Sequence, residues 1–418
     1  MTTAPPTKRR ILLDTRPLRH VAYRRLWGST IVTAVGSQFT AVAVPKQIYD
    51  MTGSSAWVGI ASLVGLLPLI VFALWGGAIA DTVDRRKMLL VTNSGIAVLM
   101  IAFWLQSALD FGSIGLLMVL VAVQQALFGM NMPARTASVA RLVPASELPA
   151  ALALNSTVMT AGLIAGPLVA GALIPVAGLP VLYLCDALAL CVALWAVWRL
   201  PALPPLNGET RRANLSDVLA GFKYIATHKL LLVSFAADII AMVFGMPRAL
   251  FPELADIGYP GVGNDIALGL LFAAIPIGSL VGGLLSGTVS TVTRHGLMVV
   301  LAVAAWGAAI VGFGASNSIW LAVVFLAAAG MADMVSMVFR GTILQTAATD
   351  EMRGRMQGVH TVVVAGGPRV ADFVHGLAAP VIGASATVIA GGALVVALTL
   401  GLALAVPSFL RYEGAPRG

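Results

Sequence analysis

Apolar residues in this chain run in blocks longer than a soluble core needs. A helix rising 1.5 Å per residue crosses a ~30 Å hydrocarbon layer in about 20 residues. Blocks of about that length occupy residues 26–44, 56–80, 88–109, 111–134, 148–176 and 181–198. A polar, proline-rich interval at 200–213 follows, and six further blocks lie at 230–254, 266–288, 296–315, 319–342, 356–382 and 385–410. The pattern predicts an all-α membrane protein with twelve transmembrane helices in two six-helix pseudo-repeats. Its parts are a tail at 1–25, a bundle at 26–199, a linker at 200–229, a second bundle at 230–410 and a tail at 411–418.

Composition agrees, since 59% of residues are hydrophobic and only 11% charged, too few to cover a water-facing surface. The basic residues set the orientation. Seven of the 26 lysines and arginines precede the first block, and sixteen fall at alternate junctions, among them Arg85, Arg86, Lys87, Arg135, Arg141, Arg199 and Arg340, or near the end. Only Lys46, Arg248 and Arg369 depart from the alternation, so both termini are expected in the cytoplasm. The net charge of +8 is spread over loops without interleaved aromatics, which argues against nucleic acid. The apolar run after the basic tail is too long for a signal peptide and has no small-residue cleavage site, so it reads as a first membrane helix.

Within the linker, residues 214–225 place a capping residue ahead of apolar residues at helical spacing, the pattern of an amphipathic surface helix. The halves echo each other weakly. Gly76-Gly77 ends the second block as Gly282-Gly283 ends the eighth, and Gly166-Pro167 in the fifth matches Gly367-Pro368 in the eleventh. Cys185 and Cys191 share one apolar helix and match no metal motif, so no metal site and no cofactor are expected.

The most specific motif is Gly77-Ala78-Ile79-Ala80-Asp81-Thr82-Val83-Asp84-Arg85-Arg86-Lys87, an aspartate at a helix end followed by a basic cluster. Asp81 can accept hydrogen bonds from helix N-termini, and Arg85 or Arg86 can pair with acids nearby, a latch that holds one conformation. The segment resembles the loop between helices two and three of the major facilitator superfamily. Ile79, Thr82 and Asp84 stand where that family carries leucine, a basic residue and glycine. The segment Gly162 to Gly171, with Gly166 and Pro167 inside it, looks like the fifth-helix motif of antiporter-type members, with Ala170 at one glycine position. Segments at 43–48, 248–252, 269–278 and 354–358 are similar to the siderophore-exporter branch, which neighbours macrolide-efflux proteins. The resemblance implies the major facilitator fold, alternating access and export.

Charges at bilayer depth are functional candidates, because each costs at least ~2.5–3.5 kcal/mol on insertion scales. Asp238 in the seventh block and Asp333 in the tenth are either proton carriers or fixed structural bridges, for instance Asp333 with Arg340. Arg369 and Asp372, three apart in the eleventh, can pair on one helix face that His375 continues, or Arg369 can meet an anionic or catechol-like substrate. Lys46 and Asp50, four apart, have the spacing of a helical ion pair. Asp186 has the place of a cap or bridge, and Arg248 and Glu253 that of an outer mouth.

The expected activity is therefore secondary transport of a small molecule across a bilayer, with protons as the coupling ion and a monomer as the working unit. The expected place is a bacterial cytoplasmic membrane. No phosphate-binding loop of the G-x-x-x-x-G-K-[ST] type is present, which argues against an ATP-driven pump. His20, His228, His295, His360 and His375 are scattered and form no catalytic pair, so an integral-membrane enzyme is disfavoured. A siderophore exporter and a multidrug efflux pump both remain open at this point.

Overall fold

The computed structural model describes residues 14–80, 82–204, 215–257, 259, 261–289, 292–347 and 350–413. In chain order the helices are α1 (Val21–Thr52), α2 (Ser55–Ala80), α3 (Arg85–Ala108), α4 (Ile114–Leu142), α5 (Leu148–Ala177), α6 (Leu179–Trp198), α7 (Leu215–Thr227) and α8 (Lys229–Gly245). They continue with α9 (Phe251–Ile257), α10 (Asn264–Leu284), α11 (Ser286–Val289), α12 (His295–Gly314), α13 (Ile319–Ala347), α14 (Asp350–Ile382), α15 (Ala384–Ala405) and α16 (Pro407–Leu410). The seventh apolar block is split: α8 stops at Gly245 and a 3-10 turn at Arg248–Leu250 leads into α9. Pro247, which has no N–H to donate, sits at that break.

Ten of the described helical segments are long and apolar enough to cross a membrane. The other two long helices, α1 and α14, occupy the first and eleventh predicted positions but are more polar. Their polarity has a physical reason, since both face other helices rather than lipid alone. On α1, Thr30, Thr33, Thr40 and Gln47 are buried, while α14 carries Arg369, Asp372 and His375.

Helices α1–α6 pack together, with α2 on α4, α1 on α5 and α6, and α3 on α4 and α6. Helices α8–α15 form the other half around α10, α12, α13 and α15, and α7 leans on α14 and α8. The halves meet along two helix pairs, α2 with α14 and α5 with α10. Glycine permits both approaches. A Cβ on Gly376 would lie 2.6 Å from the Ser55 carbonyl oxygen, and one on Gly59 2.5 Å from that of Asp372. At the second crossing a Cβ on Gly171 would lie 2.6 Å from the Asp265 carbonyl oxygen, and one on Gly269 2.5 Å from that of Pro167. Among the described residues, the side-chain bonds joining the halves run from mid-span to one end, where α1 turns into α2 and α5 into α6. They are Gln125–Arg369, Ser62–Asp372, Ser55–Glu253 and Lys46–Asp265.

Candidate functional site

The C-terminal half buries an acid–base cluster beside a cavity of about 110 Å3 between α8, α13 and α14. Arg340 on α13 lies 2.6 Å from Asp238 on α8, without hydrogen-bond alignment, and 3.6 Å from Asp333 two turns back on the same face of α13. The Asp238 and Arg340 side chains are 3% and 8% exposed, whereas Asp333 is 37% exposed. His360 of α14 lines the same cavity. The structure thus brings Asp238 and Asp333 to one guanidinium. The sequence pattern counted Arg340 with the loop charges. Its helix runs on to Ala347, five residues past the apolar block, so the arginine is interior.

The second group of candidates lies on the seam between the halves. Arg369 donates to Gln125 of α4 at 2.8 Å instead of closing an ion pair on Asp372. Asp372 accepts from the Ser62 hydroxyl at 2.7 Å and from the Ala249 N–H at 3.1 Å, and so joins α2, α14 and the turn before α9. Neither Gln125 nor Ser62 was singled out by the sequence, because an amide or hydroxyl in an apolar block carries no signal of its partner. His375 is 2% exposed, with its ring nitrogens 2.9 Å from the Ala371 carbonyl and 3.0 Å from that of Phe244. It bridges α14 and α8 through those carbonyls. Arg248 stacks over the Phe272 ring at 5.8 Å. Lys46 pairs with Asp50 at 2.5 Å and faces Asp265 across the seam at 3.7 Å. Asp186 joins α6 to α1 through the Thr40 hydroxyl at 2.6 Å.

In the loop between α2 and α3, Asp81 lies outside the described residues, and Gly77 has open space where a side chain would grow. Asp84 caps α3 by accepting from the Arg86 N–H at 2.8 Å, and the same oxygen takes the Leu203 N–H at 3.2 Å. Arg85 returns a backbone bond to the Leu203 carbonyl at 3.1 Å, and Arg86 donates to the Trp198 carbonyl at 2.5 Å. No acid pairs with Arg85 or Arg86 among the described residues; the cluster holds the start of the linker instead. Asp84→Ala removes a cap and an anchor together, so we expect a loss of about 1–2 kcal/mol in unfolding free energy, read from detergent melts. In the α5 motif the glycines divide their work. Gly162 and Gly166 admit α1 at Ala34 and Gln38, while Pro167 and Gly171 meet α10.

A family described as transmembrane secretion effector matches residues 14–417. The chain is 30% identical over 374 residues to the enterobactin exporter EntS of Shigella boydii serotype 18, with 88% of each covered. This chain belongs to the transmembrane secretion effector family of major facilitator transporters. The same exporter from Escherichia coli O1:K1 matches to the same extent. Two solved structures share the fold. One is a bacterial homologue of the human lysosomal transporter Spinster, inward-facing and unoccupied, with a TM-score of 0.73 at 15% identity, covering 97% of this chain and 100% of that one. The other is the nucleoside transporter NupG, with 0.74 at 12%, covering 94% and 99%. Membership bears out the family resemblance read from the Gly77–Lys87 loop, and the fold is the one the twelve blocks predict.

Proposed function

We propose that the chain is a secondary active exporter that carries a siderophore or similar amphipathic metabolite out of a bacterial cytoplasm in exchange for protons. The observation that carries the reading is the identity over 88% of its length to an enterobactin exporter. The Asp238–Arg340–Asp333 cluster supports the coupling. Two carboxylates against one guanidinium leave one charge unbalanced, and one proton restores neutrality where charge is costly. Binding and release of that proton then changes the grip of α8 on α13. With both termini in the cytoplasm of a monomer in the inner membrane, the end where side-chain bonds join the halves faces outward.

The test is purified protein in liposomes under an imposed pH gradient, following a labelled catecholate siderophore and a cationic dye. Gradient-driven siderophore movement is expected, with at least a tenfold loss in Asp238→Asn or Asp333→Asn. Movement of the dye alone would favour multidrug efflux, and movement of neither would sink the substrate reading.

A further inference from the structure

The two halves carry the same arginine in the same place, but among the described residues only one of the two meets carboxylates. Helices α4 and α13 are the fourth long helices of their halves and both are 29 residues long. Arg135 counted from Ile114 and Arg340 counted from Ile319 occupy the same position. Their partners also correspond: Thr30 counted from Val21 of α1 matches Asp238 counted from Lys229 of α8. Where the C-terminal half has Asp333 on the arginine's own helix, the N-terminal half has Phe128. Arg340 therefore faces two carboxylates, whereas Arg135 makes one bond among the described residues, from Nη2 to the Thr30 hydroxyl at 2.6 Å. The Thr30 hydroxyl spends its own proton on the Leu26 carbonyl at 2.9 Å, so it offers the guanidinium a neutral acceptor only.

Arg135 lies seven residues before the end of α4 at Leu142, about 10 Å inside the helix end at 1.5 Å per residue. The apolar block stops at residue 134, which is why the sequence pattern left this arginine to the loop. The guanidinium reaches across to α1, which packs beside α4 in the same half. Ten residues earlier on α4, Gln125 reaches Arg369 of the other half, and Phe128 and Met132 between the two positions are 45% and 50% exposed. The remaining nitrogens of Arg135 make no bond among the described residues. A half-buried cation at this depth, with no acid paired to it among the described residues, is expensive unless an anion visits it.

We propose that Arg135 is the anion-binding residue of the transport cavity, taking an acidic oxygen pair of the cargo, such as a carboxylate or ionised catechol, on its planar fork. The geometry suits that chemistry, since a guanidinium meets paired oxygens through two parallel bonds. The inference rests on the exporter reading and names the charge of its substrate. Thr30 positions the guanidinium and leaves its charge for the cargo.

Titration calorimetry in lipid-free detergent tests this with 2,3-dihydroxybenzoate and its neutral amide as matched probes. The wild type should bind the acid ~10–100-fold more tightly than the amide, the range set by a charge-assisted pair. Arg135→Gln should lose that preference and leave amide binding unchanged. Thr30→Asp keeps the arginine and supplies the acid that the other half has, so it too should lose the preference, with elution and melting like the wild type. Equal binding of the two probes by wild type, no binding of the acid, or a preference that survives in both variants would overturn the assignment. So would displacement of the acid by phosphatidylglycerol, which would give the site to a lipid phosphate. Liposome transport that persists in Arg135→Gln overturns only this inference. Arg135-dependent acid binding without siderophore transport overturns only the reading above.

Discussion

Arg340→Leu is expected to lower unfolding free energy by about 3–5 kcal/mol and to abolish gradient-driven transport, because it strands a buried carboxylate. An exposed ion pair would be worth about 0–1 kcal/mol. The exposures decide between the two: Asp238 is 3% exposed and Arg340 8%, so their charges cannot retreat into water. Asp333 at 37% exposure contributes less and should tolerate the loss of its partner better. Removing both buried charges together separates the cause from simple loss of packing. The pair Asp238→Asn with Arg340→Leu should recover much of the stability in tryptophan-fluorescence melts, yet stay inactive in liposomes. If the single variant melts like the wild type, the cluster is not a buried ion pair, and its place in the coupling falls with it.

The second large effect concerns the seam. Gly376→Val puts methyl groups where the Ser55 carbonyl oxygen already lies 2.6 Å from a Cβ, and the opposing Gly59 backbone leaves no room to yield. Both neighbours are helix backbone, so the halves must part at that end or α14 must shift; overpacking of this kind costs about 1–3 kcal/mol. Such a change moves a two-state equilibrium roughly fivefold to two-hundredfold. Spin labels at Val176 and Ile257, exposed positions on opposite halves, would report it after Cys185 and Cys191 are replaced. A longer distance should become the main population, with slower export. Gly28→Val is the control, since nothing lies within 4 Å of a Cβ there. An unchanged distance would mean that other contacts hold this end together.

The fold was open to reading because a bilayer imposes a length on every apolar block, and twelve long helices follow the twelve blocks. The weak points were ends. Helix α1 begins at Val21, five residues before its apolar block, and α4 and α13 run past theirs. Hydropathy ends where polar residues begin, whereas a helix continues as long as its polar side chains find partners. The site was less legible for the same reason. Asp238 and Asp333 stood out as charges in apolar surroundings, but their meeting on Arg340 depends on how α8 packs against α13. Spacing in the chain gave Arg369 and Asp372 a shared face, and the packing of α2 and α4 against α14 then drew them to separate partners.

The polarity of α14 also bears on how the protein is made. Arg369 and Asp372 near its middle each cost about 2.5–3.5 kcal/mol on insertion scales, so α14 is a poor candidate to leave the translocon unaided. The groups that receive them, Gln125 on α4 and Ser62 on α2, belong to helices synthesised long before it. The first half thereby serves as a template on which the second completes its insertion, and a chain whose early helices are misplaced has nowhere to put the late one.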